Sequence, residues 1–171
     1  GTYTLNGGTV IFNGNGTGVN AQTVRAVNYY NLTSTSTGDR ILPSSGTVGV
    51  AAAFTPNYPT QSYTITGSTV DFNGSAAAQS IPSFTFYNLG VKNGGTKTLA
   101  ATDTVINELT LGGNPSSSDG TVLALSNYDV VLRSTSALTA KVNKTALPLA
   151  NVTYGTGRFV VERYLPMQTP Y

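Results

Sequence analysis

The acid–base chemistry open to this chain rests on seven carboxylates: Asp39, Asp71, Asp103, Glu108, Asp119, Asp129 and Glu162. Histidine and cysteine are both absent, which removes the usual general base near neutral pH, the thiolate nucleophile and the commonest transition-metal ligands. An enzyme made from this sequence would have to work with carboxylates, as glycosidases do with two carboxyls about 5 to 9.5 Å apart. No two of the seven are singled out as such a pair, so no catalytic residue is assigned. Asp71 stands out because it takes the place of Ile11 in a repeated hexapeptide, and it is expected to face solvent between inward-pointing Val70 and Phe72. Glu108 and Asp129 fall in alternating stretches and read as outward-facing charges that discourage edge pairing. The Gly-rich run Asn13 to Gly18 lacks aspartate, and Ser118-Asp119-Gly120 stands alone, so the calcium-binding nonapeptide series is missing. No metal and no cofactor are expected.

Aromatic residues offer binding chemistry instead. Tyr29 and Tyr30 in one stretch and Phe84, Phe86 and Tyr87 in another hold matching places, and a row of exposed rings could contact sugar, with Tyr29, Tyr30 and Tyr87 as candidates. Alternation through Val27 to Leu32 sends about half of that cluster inward, toward packing. Thr9, Thr47, Thr69 and Thr104 recur in register but do not form the regular Thr-X-Thr face of an ice-binding surface. The nine basic residues are scattered and the net charge is +2, with none of the concentrated basic face that nucleic acid requires. No stretch approaches the ~20 apolar residues of a membrane helix, and no signal-like segment opens the chain.

The elements that must position these groups are written in a repeat. TVIFNG at 9–14 returns as TVDFNG at 69–74. Tyr3-Thr4-Leu5 matches Tyr63-Thr64-Ile65 at an offset of 60, while Ala21-Gln22, Tyr30-Asn31-Leu32 and Thr47-Val48 match Ala78-Gln79, Tyr87-Asn88-Leu89 and Thr104-Val105 at 57. The change of offset falls in a Gly/Asn-rich turn, where a stacked repeat tolerates length change. Within each copy short alternating strands are punctuated by Asn-Gly, Thr-Gly-Asp and Ser-Ser-Gly turns. Five or six strands in each copy predict two or three coils of about 20–30 residues with roughly three strands each. The expected fold is an all-β parallel β-helix, or β-solenoid, in which two coils stack their TVxFNG strands. The alternative is a tandem of antiparallel β-sandwich modules, each too small for a core of the usual ~100-residue size. Residues 1–171 read as a single solenoid segment, with repeat copies 1–60 and 61–117 and further coils over 118–171.

Only 9% of residues are charged and 39% hydrophobic, with Thr, Ser, Gly and Asn filling much of the rest. That composition disfavours helix and, with apolar residues recurring throughout, disfavours disorder. Without cysteine the fold relies on packing and ladders, and the charge-poor, hydroxyl-rich make-up fits a secreted bacterial protein.

The strings YTITGSTVDFNGSAAAQSI (63–81), FYNLGVKNGGTKTLAATDTVINELTL (86–111), NYDVVL (127–132) and GRFVVERYLP (157–166) resemble the repetitive β-solenoid regions of Bacteroidetes cell-surface proteins exported by type IX secretion. The resemblance spans nearly the whole chain and ends on Arg163-Tyr164-Leu165-Pro166. It implies an extracellular, surface-attached, stalk-like or adhesin-like segment of a longer protein, although the family's C-terminal sorting domain is not in this sequence. Partners would be surface polysaccharide, other cell-surface proteins, or neighbouring coils of the same or a like chain. A carbohydrate-binding module and a polysaccharide-degrading β-helix enzyme are the alternatives. The resemblance also marks Asp103-Thr104-Val105 as an Asp-Ser/Thr-aliphatic O-glycosylation site, with Thr104 the acceptor. The Asn-X-Ser/Thr matches at Asn15, Asn31, Asn73, Asn143 and Asn151 read as compositional.

Overall fold

The computed structural model describes residues 7–59, 61–75, 78–112, 120–143 and 152–165. Apart from one 3-10 turn at Gly18–Asn20, every regular element in them is a strand. In chain order these are β1 (Thr9–Phe12), β2 (Gln22–Thr23), β3 (Asn28–Ser34), β4 (Arg40–Ile41), β5 (Thr47–Thr55), β6 (Tyr63–Thr64), β7 (Thr69–Phe72), β8 (Ala78–Ile81), β9 (Thr85–Val91), β10 (Thr96–Leu99), β11 (Asp103–Leu111), β12 (Val122–Ala124), β13 (Val130–Arg133), β14 (Lys141–Asn143), β15 (Val152–Thr153) and β16 (Phe159–Glu162).

Among the described residues all of the strand pairings are parallel. The molecule is therefore a β-solenoid, and the antiparallel sandwich is excluded. Each coil passes three positions in turn. The second position runs the length of the stack: the start of β3, the start of β5, β7, the end of β9, the end of β11, and β14. Coil length follows from the register. Thr47 pairs with Thr69 and Thr69 with Asn88, so a coil closes in 22 and then 19 residues. Beyond the second repeat copy it lengthens, with Asp103 opposite Val130.

Long strands arise where two positions are joined without a loop. In β3 the first residues pair with Gly49-Val50, and after a register shift between Tyr29 and Asn31 the rest stacks on β1 and on the end of β5. In β11 the shift lies between Val105 and Glu108. The lower coils thus fuse the second and third positions, leaving β2, β4 and β6 as a separate first-position sheet. The upper coils fuse the first and second, leaving β8, β10, β12 and β15 separate at the third.

This arrangement corrects the expectation that the two TVxFNG strands stack on one another. TVIF in β1 sits at the third position and pairs with Asn31 to Ser34, whereas TVDF in β7 sits at the second and pairs with β5 and β9. The repeat unit amounts to about two and two-thirds coils, so the second copy starts one position out of step with the first. The physical reason is that a turn-and-strand module needs only a parallel neighbour above and below, and any position supplies one.

The core is a set of apolar columns. Val48, Val70, Leu89, Leu109 and Val142 stack in one, and Tyr29, Val50, Phe72, Val91 and Leu111 in the next. Where the fusion of positions changes over, aromatic rings fill the tube: Phe84 lies edge-on to Phe54, Tyr58 and Tyr63 at ring separations of 5.3, 5.2 and 4.9 Å, and also meets Phe86. Such edge-to-face pairs stabilise by about 0.5–1.5 kcal/mol beyond the area they bury.

Candidate functional site

Two buried cations, Arg40 and Lys97, organise the interior polar groups, and both are fully buried. Gly14 is the glycine of the FNG turn of the first repeat, and its N–H donates to Gln22 Oε1 at 2.7 Å while its carbonyl accepts from Arg40 Nη1 at 3.1 Å. In the second copy the Gly74 N–H donates to Gln79 Oε1 at 3.3 Å and its carbonyl accepts from Lys97 Nζ. Glutamine and cation are neighbours one coil apart in each case, Gln22 beside Arg40 and Gln79 beside Lys97. Arg40 also donates to the carbonyls of Phe12, Thr35, Gly38 and Asp39 at 2.6 to 3.0 Å. The repeated FNG, Ala-Gln and basic positions therefore form one latch that closes a turn whose backbone groups would otherwise be buried without partners. From the sequence Arg40 and Lys97 count only among nine scattered basic residues. The signal was present in their spacing, since each follows its glutamine by 18 residues and the two are 57 apart, the repeat offset.

The carboxylates are engaged separately. Asp39 Oδ2 accepts from the Gly18 N–H, Asp129 Oδ1 from the Arg158 N–H at 2.8 Å, and Glu162 pairs with Arg133 at 2.6 Å. Glu108 pairs with Lys141 at 3.2 Å and accepts from Asn143 and Thr110. The Asn143 amide, supported by Lys141 and Thr110, holds its carboxyl below the usual range against a desolvation that works the other way. Asp119 lies outside the described residues, as do Tyr3-Thr4-Leu5, Asn151 and Pro166.

Asp71 corrects the expectation of a solvent-facing position. Val70 and Phe72 do point inward, but Asp71 is itself buried, folded flat over Gly90 of the next coil and tied to Lys92 at 3.3 Å. Burial pushes its carboxyl up, and Lys92 and Lys97 pull part of that back. A Cβ at Gly90 would stand 2.3 Å from Asp71 Oδ1. Gly90→Ala is therefore expected to lower stability by about 1–3 kcal/mol through overpacking. Placing the same change in an Asp71→Ala background should remove most of that cost, and chemical denaturation of the four variants measures the coupling. Equal costs in both backgrounds would refute the contact.

Asp103 is fully buried in the tube wall, with Oδ1 accepting from the Phe84 N–H at 2.9 Å and Oδ2 without a partner. Burial drives its carboxyl up to about 8. Thr104 lies between buried Asp103 and Val105, partly exposed on the outer side of β11. Of the tyrosines, Tyr29 is in the core with its hydroxyl on the Arg25 backbone, Tyr30 is 41% exposed, and Tyr87 is partly buried. Tyr30 follows a second-position segment and Tyr87 precedes one, so the two rings fall at different corners of the coil. Of the four repeat-register threonines, Thr47 and Thr69 are direct partners, while Thr9 opposes Asn31 and Thr104 opposes Thr85 and Val131. Among the described residues no group of three or more carboxylates is placed to hold a metal ion.

No family model, no curated protein and no solved structure matches the chain.

Proposed function

We propose that this chain is a structural segment of a secreted bacterial surface protein, a stiff stalk- or adhesin-like spacer that holds other parts of its protein away from the cell. The observation that carries this reading is the continuous parallel ladder at the second position, running from β3 to β14 over one unbroken apolar core. In a stack of this kind each coil is held by its neighbours, and stiffness along the axis comes from backbone hydrogen bonds loaded together. The described carboxylates are consistent with the same reading, because each is engaged by its own local partner.

Surface location, type IX export and glycosylation at Thr104 belong to this proposal and rest on the resemblance of the repeated strings. The test is to pull the chain between two handles in a force spectrometer. A spacer should resist and then give way in steps that each release about one coil. Collapse at low force in a single event would sink the reading, and release of reducing ends from a panel of polysaccharides would replace it with the enzyme alternative.

A further inference from the structure

A groove of about 400 Å³ opens near the end of the stack, between the turn that leaves β13 and the segment that leaves β16. Ser134, Thr135, Thr139, Val161, Arg163 and Tyr164 are among the residues lining it. Two of its hydroxyls are oriented by backbone donors. Ser134 Oγ accepts from the Ala140 N–H at 3.2 Å, and Thr135 Oγ1 accepts from the Leu138 N–H at 3.1 Å. With lone pairs engaged by backbone donors, these hydroxyls have their protons to offer. Arg163 is exposed and has no partner among the described residues, while the neighbouring acid, Glu162, is taken up by Arg133. No carboxylate lines the groove. Beside the further hydroxyls of Ser136 and Thr139, Val161 and Tyr164 give the groove an accessible apolar side, 55% and 52% exposed.

We propose that this groove binds an acidic saccharide, a sugar ring bearing a carboxylate. Arg163 takes the carboxylate through its planar fork of donors. The Ser134 and Thr135 hydroxyls donate to ring and hydroxyl oxygens, and the Tyr164 ring packs against the C–H face of the sugar. A compact inorganic anion would use the donors and leave the Tyr164–Val161 wall empty, whereas a neutral sugar would leave the cation unmatched. The volume suits one or two rings. The inference stands on this groove alone and does not depend on the spacer reading.

The test titrates the 171-residue chain with trigalacturonate, following calorimetric heat and the backbone amide resonances of residues 134–140 and 161–165. Saturable binding that maps to those amides and weakens with added salt is expected. Arg163→Gln should weaken it roughly tenfold or more, the scale of a lost charged hydrogen bond. Arg163 is exposed and follows the last residue of β16, so this variant should melt with the wild type. Absence of binding, equal binding of neutral maltotriose, unchanged affinity in Arg163→Gln, or displacement by inorganic sulfate at equal concentration would each overturn the proposal.

Discussion

Acidification from about pH 9 to about pH 4 should stabilise this protein, and Asp103 should supply most of the change. Its carboxyl is fully buried, one oxygen has no partner, and burial raises the folded-state value to about 8. In the unfolded chain the same group titrates near ~3.9. Between these two values the folded state holds a proton that the unfolded state has released. Stability is therefore fully present below about pH 4 and falls by roughly 1.4 kcal/mol per pH unit as pH rises toward the folded value, levelling off above it. Asp71, also raised by burial, adds a contribution of the same sign. Glu108 is lowered, so its contribution is present above its unfolded value and is lost at the acid end as pH falls through its folded value. Asp103→Asn keeps an acceptor for the Phe84 N–H and cannot ionise. Urea unfolding of wild type and variant across this range should give curves that lie close together at the acid end and diverge by several kcal/mol at the alkaline end, with the variant the more stable there. Parallel curves would show that the proton is not held where the geometry places it.

Arg40→Met should be the most damaging single change to the lower coils, at about 3–5 kcal/mol. Methionine fills much of the volume but donates nothing, so the carbonyls of Phe12, Gly14, Thr35, Gly38 and Asp39 would all lose the same partner. The Phe12, Thr35 and Asp39 carbonyls keep a second donor, from the Thr35 N–H, Gln61 Nε2 and the Gln22 N–H respectively, so the desolvation penalty falls on the Gly14 and Gly38 carbonyls, at about 1–3 kcal/mol each before relaxation. Arg40→Lys should cost less, because Lys97 already serves the equivalent latch in the second copy through the carbonyls of Gly74 and Gly94. Thermal and denaturant unfolding of the two variants gives the comparison. If Arg40→Met costs under about 1 kcal/mol, the latch is not what closes the turn. If it does not fold at all, Arg40→Lys still decides the matter, since it should fold and fall between wild type and collapse.

Much of the architecture was readable along the chain. Alternation in TVIF, TVDF and VINELTL, with Asn-Gly and Ser-Ser-Gly turns at short intervals, specified short strands, and a repeat of 57 residues, too small for a sandwich core of its own, favoured coils that share one core. The continuation of coils beyond the second copy was legible in VLAL and DVVL for the same reason. The long strands were less so. Val27 to Leu32 was read as a single alternation, yet Tyr29 and Leu32 both point inward, because the register shift between Tyr29 and Asn31 changes the phase. Nothing local in Tyr-Tyr-Asn announces that shift. It is set by which strand lies above and below.

The candidate site followed the same division. Residue identity alone decided that acid–base chemistry, if any, must come from carboxylates, since there is no histidine or cysteine to supply it. The local pattern also placed Val70 and Phe72 inward. Only the tertiary structure decided that Asp71 lies flat over a glycine one coil on, that Arg40 and Lys97, legible from spacing as repeat equivalents, turn into the interior, and that Arg163 borders a groove. Alternation is a property of one strand and can be read from it. Burial of an outward-pointing side chain depends on the residue stacked beside it, about 20 positions away, and that distance changes from coil to coil.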